Sequence, residues 1–193
     1  MQSRYSTLLF LTLFCLFPVW ANAAAVSIRN ENTYIDTKSR IATMKQILYS
    51  TAMSFDYGRL AVSIDGFQRE PRGRMRDAQI SLSPYVTRDS EFTKLFVHEL
   101  AHYIDIYTLV IGKASGDISE NFYHISWQKP TVKRASEGTM DFVSGYAASN
   151  QYEDFAESMV FYIFHNATFA DRALRSESLR QKYLFFANSL FSK

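Results

Sequence analysis

Two histidines and a glutamate stand at a spacing that suits metal chemistry. His98 and His102 are four residues apart and Glu99 directly follows the first histidine, which gives the pattern HExxH. On a helix, residues i and i+4 share a face with Cβ atoms roughly 5–6 Å apart, so both imidazoles can reach one metal ion. A tetrahedral Zn²⁺ with three protein ligands keeps one position for water, and Glu99 would lie beside that water as a general base. The pattern therefore predicts zinc-dependent hydrolysis.

The alternative interpretation is an ordinary core helix. Ser90 is a reasonable N-cap, and apolar residues then recur at helical spacing. These are Phe92, Leu95, Phe96, Leu100, Tyr103, Ile104 and Tyr107. A core helix leaves Glu99 unexplained, because a carboxylate is rarely buried without a partner. The metal interpretation accounts for all three polar residues, so it is preferred.

A hydrolytic site of this kind needs a third protein ligand. The remaining candidates are Asp105, His124, Asp141, Glu153, Asp154, Glu157 and His165. Glu153 and Glu157 are four residues apart on a predicted helix, so one can coordinate zinc while the other orients a ligating histidine. Acidic residues also favour the first turn of any helix, which is the simpler explanation of this run. Together with the upstream HExxH, we prefer Glu153 as ligand, with Glu157 left open.

The other candidates rank lower. Asp105 lies three residues after His102, at an angular position that suits an outer-shell or surface residue rather than a ligand. His124 and His165 are expected to be structural or surface histidines.

The segment from Tyr146 to Glu157 reads YAASNQYEDFAE. It resembles the second motif of gluzincin metallopeptidases, most closely that of the anthrax lethal factor catalytic domain and its relatives. The resemblance implies a zincin-like fold, Glu153 as the third zinc ligand and Glu157 as its outer-shell neighbour. It also implies that Tyr146 faces the metal and helps to stabilise the oxyanion. It covers roughly residues 60–190.

The motifs of two other zincin groups give different results. The run Gly138-Thr139-Met140-Asp141 resembles the signature of aspzincins, which implies Asp141 as third ligand, but Ser144 stands where the usual tyrosine would be. Asp141 is therefore the second choice. The metzincin pattern requires a histidine six residues after His102, and Thr108 stands there, so that group is excluded.

The N-terminus resembles a secretory signal peptide. Arg4 is followed by an apolar run from Leu8 to Trp20 and then by Ala21-Asn22-Ala23, a small-x-small cleavage sequence. Residues 1–23 are thus expected to be removed, leaving residues 24–193 as one metallopeptidase-like domain that is secreted or periplasmic. The only cysteine, Cys15, would be lost, so neither disulfides nor thiolate zinc ligands are expected.

Composition narrows the function classes. Formal net charge is +2, so nothing indicates nucleic-acid binding, and no later segment reads as a transmembrane helix. The densest basic stretch, Arg69 to Arg76, is interrupted by Pro71 and Gly73 and is interpreted as a solvated loop rather than a substrate contact. The expected partner is a protein or peptide substrate, and a monomer is expected.

The predicted elements give an α+β fold: a small mixed sheet packed on the HExxH helix, followed by a mostly helical half. Strands are expected at Leu60–Ile64 and Ala78–Ser83, pairing as a long-looped hairpin, with the second able to receive an extended peptide if it lies at the sheet edge. Helices are expected at the ranges 35–54, 90–110, 141–148, 153–165 and 174–191, and the range 112–139 should be loop with room for a short helix or strand.

The residues together predict a secreted zinc endopeptidase. Glu99 would act as general base and Tyr146 as oxyanion donor, with His98, His102 and Glu153 holding Zn²⁺. The rival is a non-catalytic exported zinc-binding domain that acts through a protein partner. A closed four-ligand site, for example with His124 added, would favour that rival.

Overall fold

The computed structural model describes residues 26–31, 35–51, 55, 57–66, 69–109 and 117–191. The predicted signal peptide, residues 1–23, lies outside these ranges. None of the helices in the described ranges is long and apolar enough to cross a bilayer.

One sheet contains four short strands. They are β1 (Ser27–Asn30), β2 (Ala61–Ile64), β3 (Gly73–Arg76) and β4 (Gln79–Leu82). Their spatial order is β1-β2-β4-β3, in which β1, β2 and β4 run parallel and β3 runs antiparallel to β4. The predicted mixed sheet within an α+β fold is confirmed.

The pairing of the strands corrects two predictions. β2 and β4 were expected to form a hairpin, but they are parallel neighbours, and the hairpin partner of β4 is β3. A tight turn makes that hairpin possible, since Asp77 and Ala78 both have positive φ, at 51° and 62°. Two such residues in a two-residue loop match the twist of flanking antiparallel strands.

The arginine-rich stretch is therefore not simply a loop. Gly73–Arg76 forms an edge strand, while β4 lies inside the sheet between β2 and β3. The strand that leads into the HExxH helix was expected to receive an extended peptide only if it lay at the sheet edge, and that condition is not met. The edge strands are β1 and β3.

Six α-helices are described: α1 (Lys38–Thr51), α2 (Asp89–Tyr103), α3 (Ser119–Ser126), α4 (Gln151–Phe164), α5 (Asn166–Ala173) and α6 (Glu177–Phe185). α2 carries the HExxH residues and begins after Arg88, so Ser90 is not its N-cap. It ends at Tyr103 and continues as a π-helical turn, Ile104–Thr108. A second π-helical turn, Phe186–Leu190, follows α6.

The region between α2 and α4 contains short elements within the predicted loop, but it lacks the helix predicted over Asp141–Ala148. A two-stranded hairpin, β5 (Trp127–Lys129) and β6 (Val132–Lys133), follows α3 within the predicted loop. The helix predicted over Asp141–Ala148 is wrong, because only Thr139–Asp141 forms a 3₁₀ turn and bends and turns follow. Carbonyls of Phe142 and Val143 accept hydrogen bonds from Arg172 of α5 instead of from a helix ladder.

α2 lies at the centre of the packing. It packs against α4 on one side and against β3, β4 and α1 on others. Phe92, Phe96 and Leu100 of α2 are fully buried in the same hydrophobic cluster as Ile80 of β4 and Phe155 of α4. Burial of large apolar side chains on both sides fixes α2 between the sheet and α4, which determines how the polar residues of the two helices face each other.

Candidate metal centre

Two helices supply the polar residues of the candidate site. His98 and His102 project from α2, and Glu153 projects from the first turn of α4. Asn150 caps α4 by accepting hydrogen bonds from the backbone N–H groups of Tyr152 and Glu153, both at 3.0 Å. That cap fixes the start of the helix and with it the position of the Glu153 side chain.

The three candidate ligand atoms form a nearly equilateral triangle. Nε2 of His98 lies 3.2 Å from Nε2 of His102 and 3.1 Å from Oε2 of Glu153, and the third side, from His102 to Glu153, is 3.4 Å. Ligands at zinc distances of about 2.0–2.1 Å in a tetrahedral arrangement are separated by about 3.3–3.4 Å. The triangle thus has the size of one face of a zinc tetrahedron.

The donor set also fits a cation. Oε2 of Glu153 is buried, and neither histidine is oriented to give it a hydrogen bond, although both Nε2 atoms lie within ion-pair distance. Among the described residues, these three form the only group of histidine, cysteine, aspartate or glutamate side chains close enough to share a metal ion. Two imidazole nitrogens and a buried carboxylate oxygen without a hydrogen-bond partner, all within 3.4 Å of one another, are the surroundings that a positive ion between them would satisfy.

Glu157 orients His98 from behind. Its Oε1 lies 3.0 Å from Nδ1 of His98, and because a carboxylate only accepts, Nδ1–H is the donor. Nε2 of the neutral ring then carries the lone pair and faces the other two ligand atoms. Ser144 holds the second oxygen of Glu157 through its hydroxyl, at 2.7 Å.

The carboxylates raise the affinity of this site for positive charge. Burial lowers the pKa of His98, but the neighbouring Glu153 and Glu157 outweigh burial and raise that pKa to about 9. Burial raises the pKa of Glu153, but the neighbouring His102 and His98 outweigh it and hold that pKa well below its usual range. The same field that favours a proton on His98 favours a metal cation in its place.

Glu99 lies beside the triangle and against the edge strand. It is buried, and burial raises the pKa of its carboxyl above the usual range, while His98 and His102 oppose that shift. The backbone N–H of Met75 in β3 interacts with the carboxylate. Gly73 provides the room: a Cβ built there would lie 2.6 Å from Oε1 of Glu99 and 2.7 Å from Cδ1 of Leu95. A larger residue at position 73 would force the side chains of Glu99 and Leu95 to move.

Tyr146 lies at the open side of the site. Its ring stacks on the His98 ring, with centroids 5.9 Å apart and an interplanar angle of 28°, and the side chain is exposed. Partial burial, helped by the negative charge of Glu153, raises the pKa of Tyr146 to about 12. Its phenol therefore keeps its proton at neutral pH and can donate a hydrogen bond.

The structure does not bring Asp141 to the histidines. Its Oδ1 accepts a hydrogen bond from the hydroxyl of Ser176 at 2.6 Å, and its Oδ2 accepts one from the backbone of Gly138 at 2.9 Å. Both carboxylate oxygens thus serve the 3₁₀ turn and the start of α6. Glu157, the other alternative, contacts the Nδ1 side of His98 rather than the ligand triangle.

The remaining sequence candidates lie apart from the triangle. His124 is exposed on α3 and donates to the carbonyl of Glu120, and His165 accepts from Nζ of Lys94 at 2.9 Å. Asp105 is fully buried in the π-helical turn after His102, where it accepts a hydrogen bond from the hydroxyl of Tyr123 at 2.5 Å. Burial raises the pKa of Asp105 to about 6.

Sequence reasoning did not identify Gly73 or Ser144 as site residues. In the sequence, Ser144 is only a departure from the aspzincin pattern, and Gly73 is only a glycine within the arginine-rich stretch. Both act through long-range contacts, at separations that no local spacing rule covers.

Comparisons with protein-family models, curated proteins and solved structures found no match for this chain. The resemblance to gluzincins therefore stays a prediction.

Proposed function

We propose that this protein is a secreted zinc-dependent endopeptidase. The observation that carries the proposal is the triangle of Nε2 of His98, Nε2 of His102 and Oε2 of Glu153, with the buried carboxylate of Glu99 beside it. A structural zinc site is closed by four protein ligands and needs no base, whereas three ligands with an adjacent carboxylate are typical of hydrolytic zinc sites.

His98, His102 and Glu153 would hold the zinc ion. When bound, zinc supplies Lewis-acid polarisation of the scissile carbonyl and lowers the pKa of a water towards about 7. Glu157 keeps His98 in the tautomer that presents Nε2, and Ser144 keeps Glu157 in place. These contacts hold the ligand geometry before substrate arrives.

Glu99 would carry out the proton transfers. It takes a proton from the attacking water and delivers it to the leaving amine, a role for which a partly desolvated carboxylate is suited. The Tyr146 phenol donates a hydrogen bond to the carbonyl oxygen as negative charge develops there. Its exposed position leaves it accessible to substrate.

The position of β3 at the sheet edge supports the proposal that the substrate is a peptide. The backbone of Ser83 donates to the carbonyl of Arg72, so in the antiparallel pair the backbone groups of Arg74 and Arg76 face β4. Those of Gly73 and Met75 face the other side, along which no described strand pairs and where the N–H of Met75 contacts the Glu99 carboxylate. An extended peptide added there would run past Glu99.

The test is digestion of a broad peptide library by the purified chain, residues 24–193, loaded with zinc. Endoproteolytic cleavage that stops when a chelator removes the metal is expected, and it should return when zinc is restored. Stoichiometric zinc without cleavage of any library member would overturn the proposal and favour a non-catalytic zinc-binding domain.

A further inference from the structure

The edge strand β3 carries a stripe of positive charge on one side. Gly73 and Met75 point towards α2, as the close approach of Gly73 to Glu99 shows. Side chains alternate along a strand, so Arg74 and Arg76 point to the opposite face of the sheet, and both are exposed. Arg72, which is also exposed, continues the alternation just before the strand.

This face of the sheet carries no negative charge on its strands. The register places Arg74 level with Ser81, Ser63 and Arg29, and places Arg76 level with Gln79, Ala61 and Ser27. Charged side chains on the outer face of the four strands are thus all arginines. Asp77 in the following turn lies 3.2 Å from Arg76, but both side chains are largely exposed, so water and salt screen that pair.

Arg74 has no acidic partner among the described residues. Charged residues on an edge strand also protect a sheet from pairing with other sheets, and either positive or negative charge can serve that purpose. The uniform sign here, at the edge that lies against the proposed base, indicates a more specific use.

A peptide paired with β3 would meet these arginines directly. Because the backbone groups of Arg74 and Arg76 face β4, both residues would stand opposite residues of a peptide that runs antiparallel to β3 in non-hydrogen-bonded pairs, the closer type, with Cα atoms about 4.5 Å apart. The two opposing peptide residues would be two positions apart, and their side chains would lie on the arginine face. Opposite charges at such positions attract, whereas like charges repel.

Resting on the peptidase function proposed above, we propose that the substrate is an acidic extended peptide, with aspartate or glutamate at the two positions opposite Arg74 and Arg76. The peptide residue between them faces α2 and the metal centre. The amino acid preferred at that position therefore does not depend on the two arginines. The stripe thus selects charge on one face of the substrate only.

The test compares matched peptides that differ at these two positions, carrying glutamate, glutamine or lysine. Wild-type protein is expected to cleave the acidic peptide with a kcat/KM about 2- to 30-fold above that of the amide peptide, the range expected for two cross-strand charge pairs. Arg74→Glu/Arg76→Glu should reverse the order and favour lysine. Raising the salt concentration should reduce both preferences.

Arg29→Glu is the matched control for Arg74→Glu. Arg29 lies on the same face but on β1, three strand spacings away, or about 14 Å. The Arg29→Glu substitution should leave the preference for acidic over lysine-containing peptides unchanged. Equal kcat/KM for all three peptides, or an equal effect of Arg29→Glu and Arg74→Glu, would overturn the proposal.

Direct binding separates this proposal from the peptidase function. Fluorescence anisotropy with the labelled acidic and amide peptides is measured on wild-type and charge-reversed protein, each checked for folding by circular dichroism. Binding that depends on Arg74 and Arg76 without any cleavage would overturn the peptidase function and leave the acidic-peptide site standing. Cleavage without charge dependence would do the reverse, and the absence of both would overturn both.

Discussion

Glu99→Gln is expected to lower kcat on the best library peptide by about 10²–10⁴-fold, the contribution typical of general acid–base catalysis. The amide has nearly the shape of the carboxylate, and its oxygen can still accept from the backbone N–H of Met75. It cannot take a proton from water. Since Glu99 supplies none of the three candidate ligand atoms, the zinc content should stay at one ion per chain.

Glu91→Gln is the control for that substitution. Glu91 lies in the first turn of the same helix and is half-exposed beside Arg88. It should leave kcat unchanged. Unchanged turnover in the Glu99→Gln protein would show that Glu99 is not the base, whereas loss of zinc together with activity would place Glu99 among the ligands.

The second large effect is expected on stability, at a buried ion pair behind the metal centre. Lys182 of α6 is fully buried, and its Nζ lies 2.7 Å from Oδ2 of Asp154 and 3.0 Å from the carbonyl of Asp141. Asp154 also accepts from the indole N–H of Trp127 at 2.9 Å. Burial lowers the pKa of Lys182 and raises that of Asp154, and their pairing opposes both shifts.

Lys182→Ala should therefore lower the free energy of unfolding by about 3–5 kcal/mol, because it leaves a buried carboxylate without its counter-ion. Arg180→Ala, at an exposed pair with Glu177 on the same helix, should cost at most about 1 kcal/mol. Urea denaturation followed by circular dichroism measures both. A loss under about 1 kcal/mol for Lys182→Ala would contradict this assignment.

This ion pair also links the fold to the site. Asp154 directly follows Glu153 in α4, and Lys182 binds both Asp154 and the turn that leads to Ser144. The sequence carries only a weak signal for it: Asp154 is one of the candidate ligands, but its partner lies on a helix far along the chain. Only the packing of α6 against the start of α4 brings the two together.

The site residues on helices were the most predictable part of the molecule. The spacing of His98 and His102, and of Glu153 and Glu157, depends only on helical periodicity, which holds wherever the helix packs. The structure brings these four side chains together, with Glu157 behind His98 rather than in the triangle. Their roles in catalysis remain predictions.

The sheet was less predictable. β3 is short and rich in arginine, and it lies beside a proline and a glycine, features that loops and edge strands share. Its alternation acquires a role from tertiary packing, because Gly73 leaves the space that the Glu99 and Leu95 side chains occupy. The parallel pairing of β2 with β4 likewise depends on long-range order, since local alternation does not specify which strand lies next to which.

The helix expected at Asp141–Ala148 failed for a different reason. Its apolar residues recur at helical spacing, but the backbone carbonyls of Phe142 and Val143 bind Arg172, and Ser144 binds Glu157. Tertiary contacts outweigh a weak local preference here. The result is the irregular segment that holds Glu157 and presents Tyr146.

The central claim is that His98, His102 and Glu153 hold one zinc ion. Elemental analysis of the purified chain, residues 24–193, beside Glu153→Ala and Asp141→Ala, each verified as folded, tests it most directly. We expect one zinc per chain in the wild type and in Asp141→Ala, and none in Glu153→Ala. Zinc retained in Glu153→Ala but lost in Asp141→Ala, or no zinc in any of the three folded proteins, would contradict the claim.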